Sequence, residues 1–148
     1  MLDNVRSAWN VGAIFRTADG LGVRSLYLCG NTPTPDNESV RKTALGAEET
    51  VTWKYSRNVL EITKELHNDG HTLVALEQNE YAKPIGMYPV LPRQQVALIV
   101  GNEITGVDPQ LLDLCDHILY IPMHGKKRSL NVEVAFAIAV YALRSQMV

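Results

Sequence analysis

Cysteine is nearly missing from this chain: only Cys29 and Cys115 occur in 148 residues, too few and too far apart for a disulfide framework or a zinc site. One falls in an expected strand and the other in an expected helix, so both read as small buried hydrophobes in a reducing compartment. Long apolar runs are missing as well, and the chain opens on neither a signal peptide nor an Arg-rich transit segment. The expected location is therefore the cytoplasm, with no membrane association. There is no basic surplus either: 14 Lys plus Arg against 16 Asp plus Glu leave a net charge of -2. No global positive field advertises nucleic acid, so any RNA or DNA contact has to use local patches. Repeats, low-complexity tracts and an interdomain linker are absent. What remains, 46% hydrophobic and 20% charged residues, is the balance of a globular chain, and residues 1–148 are expected to form one domain around one core.

The last third carries the strongest pattern. Residues 96–140 read VALIVGNEITGVDPQLLDLCDHILYIPMHGKKRSLNVEVAFAIAV. Two short apolar strands each run into a glycine-bearing polar loop that opens a helix. Adjacent strands ending in such loops would build a crevice at their carboxyl ends, where open α/β sheets take ligands. In the first loop Gly101 lets backbone approach a ligand, and Asn102 and Glu103 place an amide and a carboxylate beside it. The second loop passes Ile121, Met123 and Gly125, then carries Lys126, Lys127 and Arg128. Ser129 or Asn131 would cap the closing helix and leave free backbone amides facing the crevice. Each feature alone has an ordinary alternative, a turn glycine or a solvated basic loop.

Upstream, residues 10–22 have a helical apolar stripe through Val11, Ile14, Phe15 and Ala18, with Asn10 as the expected N-cap and Gly20 or Gly22 as the stop. Arg16 falls off the stripe and offers a fixed fork of donors for phosphate or carboxylate. Strands are expected at 25–29, around Val51, Trp53 and Tyr55, and at 72–76, the last followed by Glu77 and Gln78 where a third ligand loop would sit. Residues 40–45 can turn once as a helix carrying Arg41 and Lys42. Residues 58–68 form an amphipathic helix, and His67 and His71 at its end receive no chemical role. Pro84, Pro89 and Pro92 make 79–93 irregular or an edge. Asp108 and Pro109 start a short helix. Strands alternating with helices give an α/β fold with a parallel-rich open sheet and helices on both faces. The closing helix, 131–146, is apolar nearly all round: Val132, Phe136, Ala139 and Leu143 form one stripe, and Val134, Ile138 and Tyr141 cover much of the rest. It must be buried on nearly all sides, in its own core, under further sequence or against a second chain.

NVGAIFRTADGLG, IVGNEITGV and IPMHGKKRSLNVEVAFAIA, in that order, resemble the three motifs of the SpoU (TrmH-like) branch of the SPOUT RNA methyltransferases, and RKTALGAEE between the first two is also similar to that family. The resemblance spans nearly the whole chain. It implies S-adenosylmethionine as methyl donor, a ribose 2'-hydroxyl in tRNA or rRNA as acceptor, a homodimer, no metal, and a trefoil knot at the C-terminal end. By position it makes Asn10 and Arg16 the catalytic pair, with Glu103, Ser129 and Asn131 in support. Cofactor contacts are implied at Leu76, Glu77, Gly101, Ile121, Met123 and Leu130, mostly through backbone. Local basic residues Arg6, Arg24, Arg41, Lys42, Lys126, Lys127 and Arg128 are candidates for RNA phosphate contacts. Trp9 is either a base-stacking residue or a buried anchor. Two departures stand out: the first strand is short, and the N-terminal RNA-binding domain of most members is absent. The chain is thus expected to be a minimal single-domain member or a catalytic domain alone. Two other classes compete with this reading, a noncatalytic RNA-binding module of the same fold and a small-molecule α/β enzyme. The latter lacks a glycine fingerprint after its first strand.

Overall fold

The computed structural model describes residues 1–147. Seven strands and six helices follow one another along it: β1 (Leu2–Asp3), α1 (Ala8–Gly20), β2 (Ser25–Cys29), α2 (Glu38–Ala44), α3 (Ala47–Thr50), β3 (Thr52–Ser56), α4 (Val59–Asn68), β4 (Thr72–Leu76), β5 (Lys83–Pro84), β6 (Val96–Ile99), α5 (Pro109–Leu114), β7 (His117–Tyr120) and α6 (Val132–Arg144). Every pairing between these strands is parallel, in the orders β1-β2-β3 and β5-β7-β4-β6. A parallel bridge between Leu2 and Val100, with Asp3 N–H donating to Val100 O at 2.9 Å, brings β1 beside the end of β6 and joins the two sets. The arrangement corrects one expectation. β6 and β7 are not neighbours, because β4 lies between them.

Parallel strands buried on both faces need apolar residues in succession. In β4, Leu73 and Ala75 pack toward α4 and α5, while Val74 between them packs toward α6. Leu2, Leu26 and Leu28 meet Phe15 of α1 and Phe136 of α6 on the same side as Val40 of α2. On β2, β1 pairs with Leu28 and Cys29, and a cavity of about 520 Å³ lies between the amino ends of β2 and β6.

The N-cap of α1 lies three residues before the expected one. Ser7 is the N-cap, its hydroxyl accepting from Asn10 N–H at 3.3 Å, so Asn10 lies in the first turn. Gly22 (φ 65°) takes the left-handed conformation that ends this helix. Inside α1, a β-carbon on Gly12 would collide with Thr43 Oγ1 and Val40 O, so the glycine lets α1 and α2 touch backbone to backbone. Asp108 caps α5 as expected, Asn131 is the one of the two expected candidates that caps α6, Asn58 caps α4, and Pro109 occupies the first turn of α5. The short α3 has no counterpart in the sequence reading. Helix α6 buries Phe136, Ala139, Val140 and Leu143, while Val134 (42% exposed), Ile138 (40%) and Tyr141 (67%) look outward. The described residues therefore do not enclose it.

Candidate active site

A cavity of about 550 Å³ opens where the ends of β6, β4 and β7 meet the start of α6. Leu76 and Glu77 line it from the end of β4, residues 100–107 from the loop after β6, Tyr120, Ile121 and Met123 from the end of β7 and beyond, and residues 128–132 from the approach to α6. All six residues expected to hold a cofactor are in this lining: Leu76, Glu77, Gly101, Ile121, Met123 and Leu130. Of the five expected catalytic residues, Glu103, Ser129 and Asn131 line it directly.

Glu103 connects the cavity to the first helix. Its Oε2 accepts from Arg6 N–H (3.0 Å) and its Oε1 from Ser7 N–H (2.9 Å), the unpaired amides just ahead of α1. Burial pushes its pKa up, but the Arg6, Ser7 and Glu103 N–H groups and the Asn10 amide outweigh that and hold it below the ordinary carboxylate value. The same Oε1 takes Asn10 Nδ2 at 3.4 Å, and Asn131 Nδ2 donates to Asn10 Oδ1 at 3.2 Å. A carboxylate only accepts, so the Asn10 amide group must face it, leaving the Asn10 oxygen for Asn131. Asn131 in turn accepts from Glu133 N–H at 2.9 Å and caps α6. Three side chains separated by up to 121 residues thus form one polar chain across the mouth of the cavity.

Arg16 does not join them. It is exposed on α1, outside the lining, and six residues of helix put it roughly 9 Å along the axis from Asn10. Among the expected RNA contacts only Arg128 lines the cavity, with Lys126 and Lys127 exposed beside it in sequence. Arg6 is exposed. Arg41 is exposed, and one of its guanidinium nitrogens is turned onto its own loop, donating to the carbonyls of Pro35 and Asp36. Lys42 pairs with Glu38 at 3.3 Å, an exposed pair one helical turn apart that is weak enough to exchange. Trp9 is 60% exposed and is no buried anchor of this chain.

The first loop differs from expectation in detail. Asn102 was read as a ligand group, yet its oxygen accepts from Ile104 and Thr105 N–H (2.9 and 3.1 Å) and its amide donates to Asn4 O (2.8 Å). It pins the loop. Gly101 is required first by the protein itself, since a β-carbon there would strike the backbone of Gly106 and Val107. Gly106 (φ 73°), with Gly101, closes this fold-back and was not singled out in the sequence; its place two residues beyond Ile104 in the GNEITG run was the available signal. Among the described residues no group of three His, Cys, Asp or Glu could hold a metal ion, and no helix is long and apolar enough to cross a membrane.

Comparison with known proteins matches residues 1–141 to the model of the SpoU rRNA Methylase family. The 23S rRNA (guanosine(2553)-2'-O)-methyltransferase RlmP of Bacillus subtilis is 35% identical over 145 residues, 97% of this chain and 56% of its own length. The tRNA (guanosine(18)-2'-O)-methyltransferase of Aquifex aeolicus is 32% identical over 97% of this chain and 67% of its own. An AdoMet-bound rRNA methyltransferase structure from Sinorhizobium meliloti superposes with a TM-score of 0.92 at 25% identity, over 99% of this chain and 55% of that one. The chain thus spans little more than half the length of several of its relatives.

Proposed function

Because the chain belongs to the SpoU rRNA methylase family, in the SpoU branch of the SPOUT methyltransferases, we propose that it is an S-adenosylmethionine-dependent methyltransferase acting on a ribose 2'-hydroxyl of tRNA or rRNA. The observation that carries this reading is the convergence of Asn10, Glu103 and Asn131, one from each motif, at the mouth of a single cavity. The cavity suits the cofactor: Leu76, Ile121, Met123 and Leu130 offer apolar contact to a purine, while loop backbone and Ser129 offer polar groups to the rest. Bound there, the cofactor supplies an electrophilic methyl group on a sulfonium.

The chain's own residues position the acceptor. Asn10, held by Glu103 and Asn131, orients the ribose so that its hydroxyl approaches the methyl in line, and such positioning supplies much of the acceleration. A guanidinium offers hydrogen-bond donors and no acceptor, so the part of Arg16 is to hold a substrate phosphate with a bidentate fork. Lys126, Lys127 and Arg128 extend the phosphate contacts along the rim. The working unit is a homodimer packed through the outward face of α6, in which Arg16 of one protomer serves the cavity of its partner. Residues 1–148 act as a single methyltransferase domain with a C-terminal trefoil knot, and they work in the cytoplasm, where tRNA and rRNA are at hand.

Incubation with methyl-labelled S-adenosylmethionine and unmodified tRNA or rRNA should place label on ribose, read as an alkali-resistant dinucleotide. Absence of transfer to either RNA, together with no calorimetric binding of S-adenosylhomocysteine at millimolar concentration, would sink the proposal.

A further inference from the structure

Glu77 follows β4, the strand between β6 and β7, and its backbone N–H donates to Leu119 O of β7 at 2.9 Å. Its side chain turns toward the other neighbour. Oε2 accepts from Val107 N–H at 3.0 Å in the loop after β6, while Oε1 accepts from Gln78 N–H at 2.8 Å. One residue therefore ties together the three strand ends around the cavity. The loop is shaped to receive it: a β-carbon on Gly106 would overlap Glu77 Oε2, and one on Gly101 would overlap Gly106. Two positions without side chains bring Val107 N–H onto the carboxylate.

A second carboxylate makes a useful contrast. Asp3 of β1 is buried and accepts from Asp108 N–H at 3.2 Å, so it holds the next residue of the same loop from the other side. Asp3 lies outside the cavity lining, whereas Glu77 is part of it.

We propose that Glu77 is a positioning residue for the cofactor: its carboxylate fixes the loop after β6 against the end of β4 and so sets the width of the cavity. This rests on reading that cavity as the S-adenosylmethionine site. Two glycines give the loop wide backbone freedom, and without the latch that freedom has to be lost on binding. Affinity then falls, and the loss is greatest where cofactor is limiting.

Calorimetric titration of the whole chain with S-adenosylhomocysteine tests the assignment. Glu77→Ala weakens binding about tenfold, the scale of one charged hydrogen bond, and Glu77→Gln, which keeps a carbonyl oxygen for Val107 N–H, recovers to within about threefold. Gly106→Ala behaves like Glu77→Ala. For all three variants the rise in the KM for cofactor exceeds any fall in kcat. Asp3→Asn lowers Tm and leaves affinity alone. Wild-type affinity in Glu77→Ala, failure of Glu77→Gln to recover, or an equal affinity loss in Asp3→Asn at matched Tm overturns the proposal. Should the wild-type chain not bind S-adenosylhomocysteine, the cofactor reading falls, and the cofactor role of Glu77 with it. Hydrogen exchange then judges the latch separately: Val107 N–H loses protection in Glu77→Ala if the latch holds, and unchanged protection rejects it.

Discussion

Glu103 commits both carboxylate oxygens to the protein itself, to the N–H groups of Arg6 and Ser7 and to the Asn10 amide. Its pKa is lower in the folded chain than in the unfolded one, so its stabilisation is fully present above the unfolded value of about 4.3 and fades as pH falls through the lower folded value. Glu103→Gln should therefore lower the urea midpoint at pH 7, and the gap between the two proteins should narrow as pH falls below about 4.3. A gap that persists unchanged to pH 3 would mean the helix clamp owes nothing to charge. Arg16 is the opposite case, an exposed guanidinium outside the cavity. Arg16→Ala should reduce methyl transfer about 100-fold with cofactor affinity within a few fold, and Arg16→Lys should restore little, because a point charge does not reproduce a bidentate fork. Wild-type turnover in Arg16→Ala would remove it from the site. The motifs singled out Asn10, Glu103 and Asn131 as candidate site residues, and the structure brings their side chains together. That Asn10 is not the helix cap was not legible, because what shapes the start of α1 is a carboxylate 96 residues away.

Helices announced by a cap and an apolar stripe were placed correctly to within a few residues, as α4, α5 and α6 show. The start of α1 and the existence of α3 were not, since local signals compete there with contacts made across the fold. Gly12 belongs to the same class. Within a helix a glycine costs about 1 kcal/mol relative to alanine, and nothing nearby in sequence explains it. Its reason is α2, whose Thr43 and Val40 occupy the space a β-carbon would need. Gly12→Ala should therefore destabilise the protein by about 1–3 kcal/mol through overpacking, visible as a fall in Tm, instead of stabilising it as helix propensity alone would suggest. A rise in Tm would mean that α1 and α2 separate freely.

At the scale of the molecule, α6 presents Val134, Ile138 and Tyr141 outward from a chain that buries its other face well. Ile138→Asp places a charge in the middle of that patch. Light scattering should report about twice the chain mass for the wild type and the single chain mass for the variant, with methyl transfer lost along with the partner. A wild-type monomer that is fully active would contradict the proposed homodimer. The alternation of apolar segments with capped helices was enough to determine an α/β chain with parallel strands, because each segment's periodicity and its glycine, proline and capping residues act within a few positions. The resemblance of its motifs to a known family, not those local signals, pointed to the six expected cofactor contacts, all of which line one cavity. Only the tertiary structure decided that β4 separates β6 from β7, that Asn102 and Gly101 hold the loop itself, that Arg41 is tied to its own loop, and that Glu77 reaches across to Val107. Strand order and side-chain partnership depend on which distant segments come to share a face. No periodicity along the chain encodes that choice, which follows from packing both faces of one sheet while giving each buried N–H an acceptor.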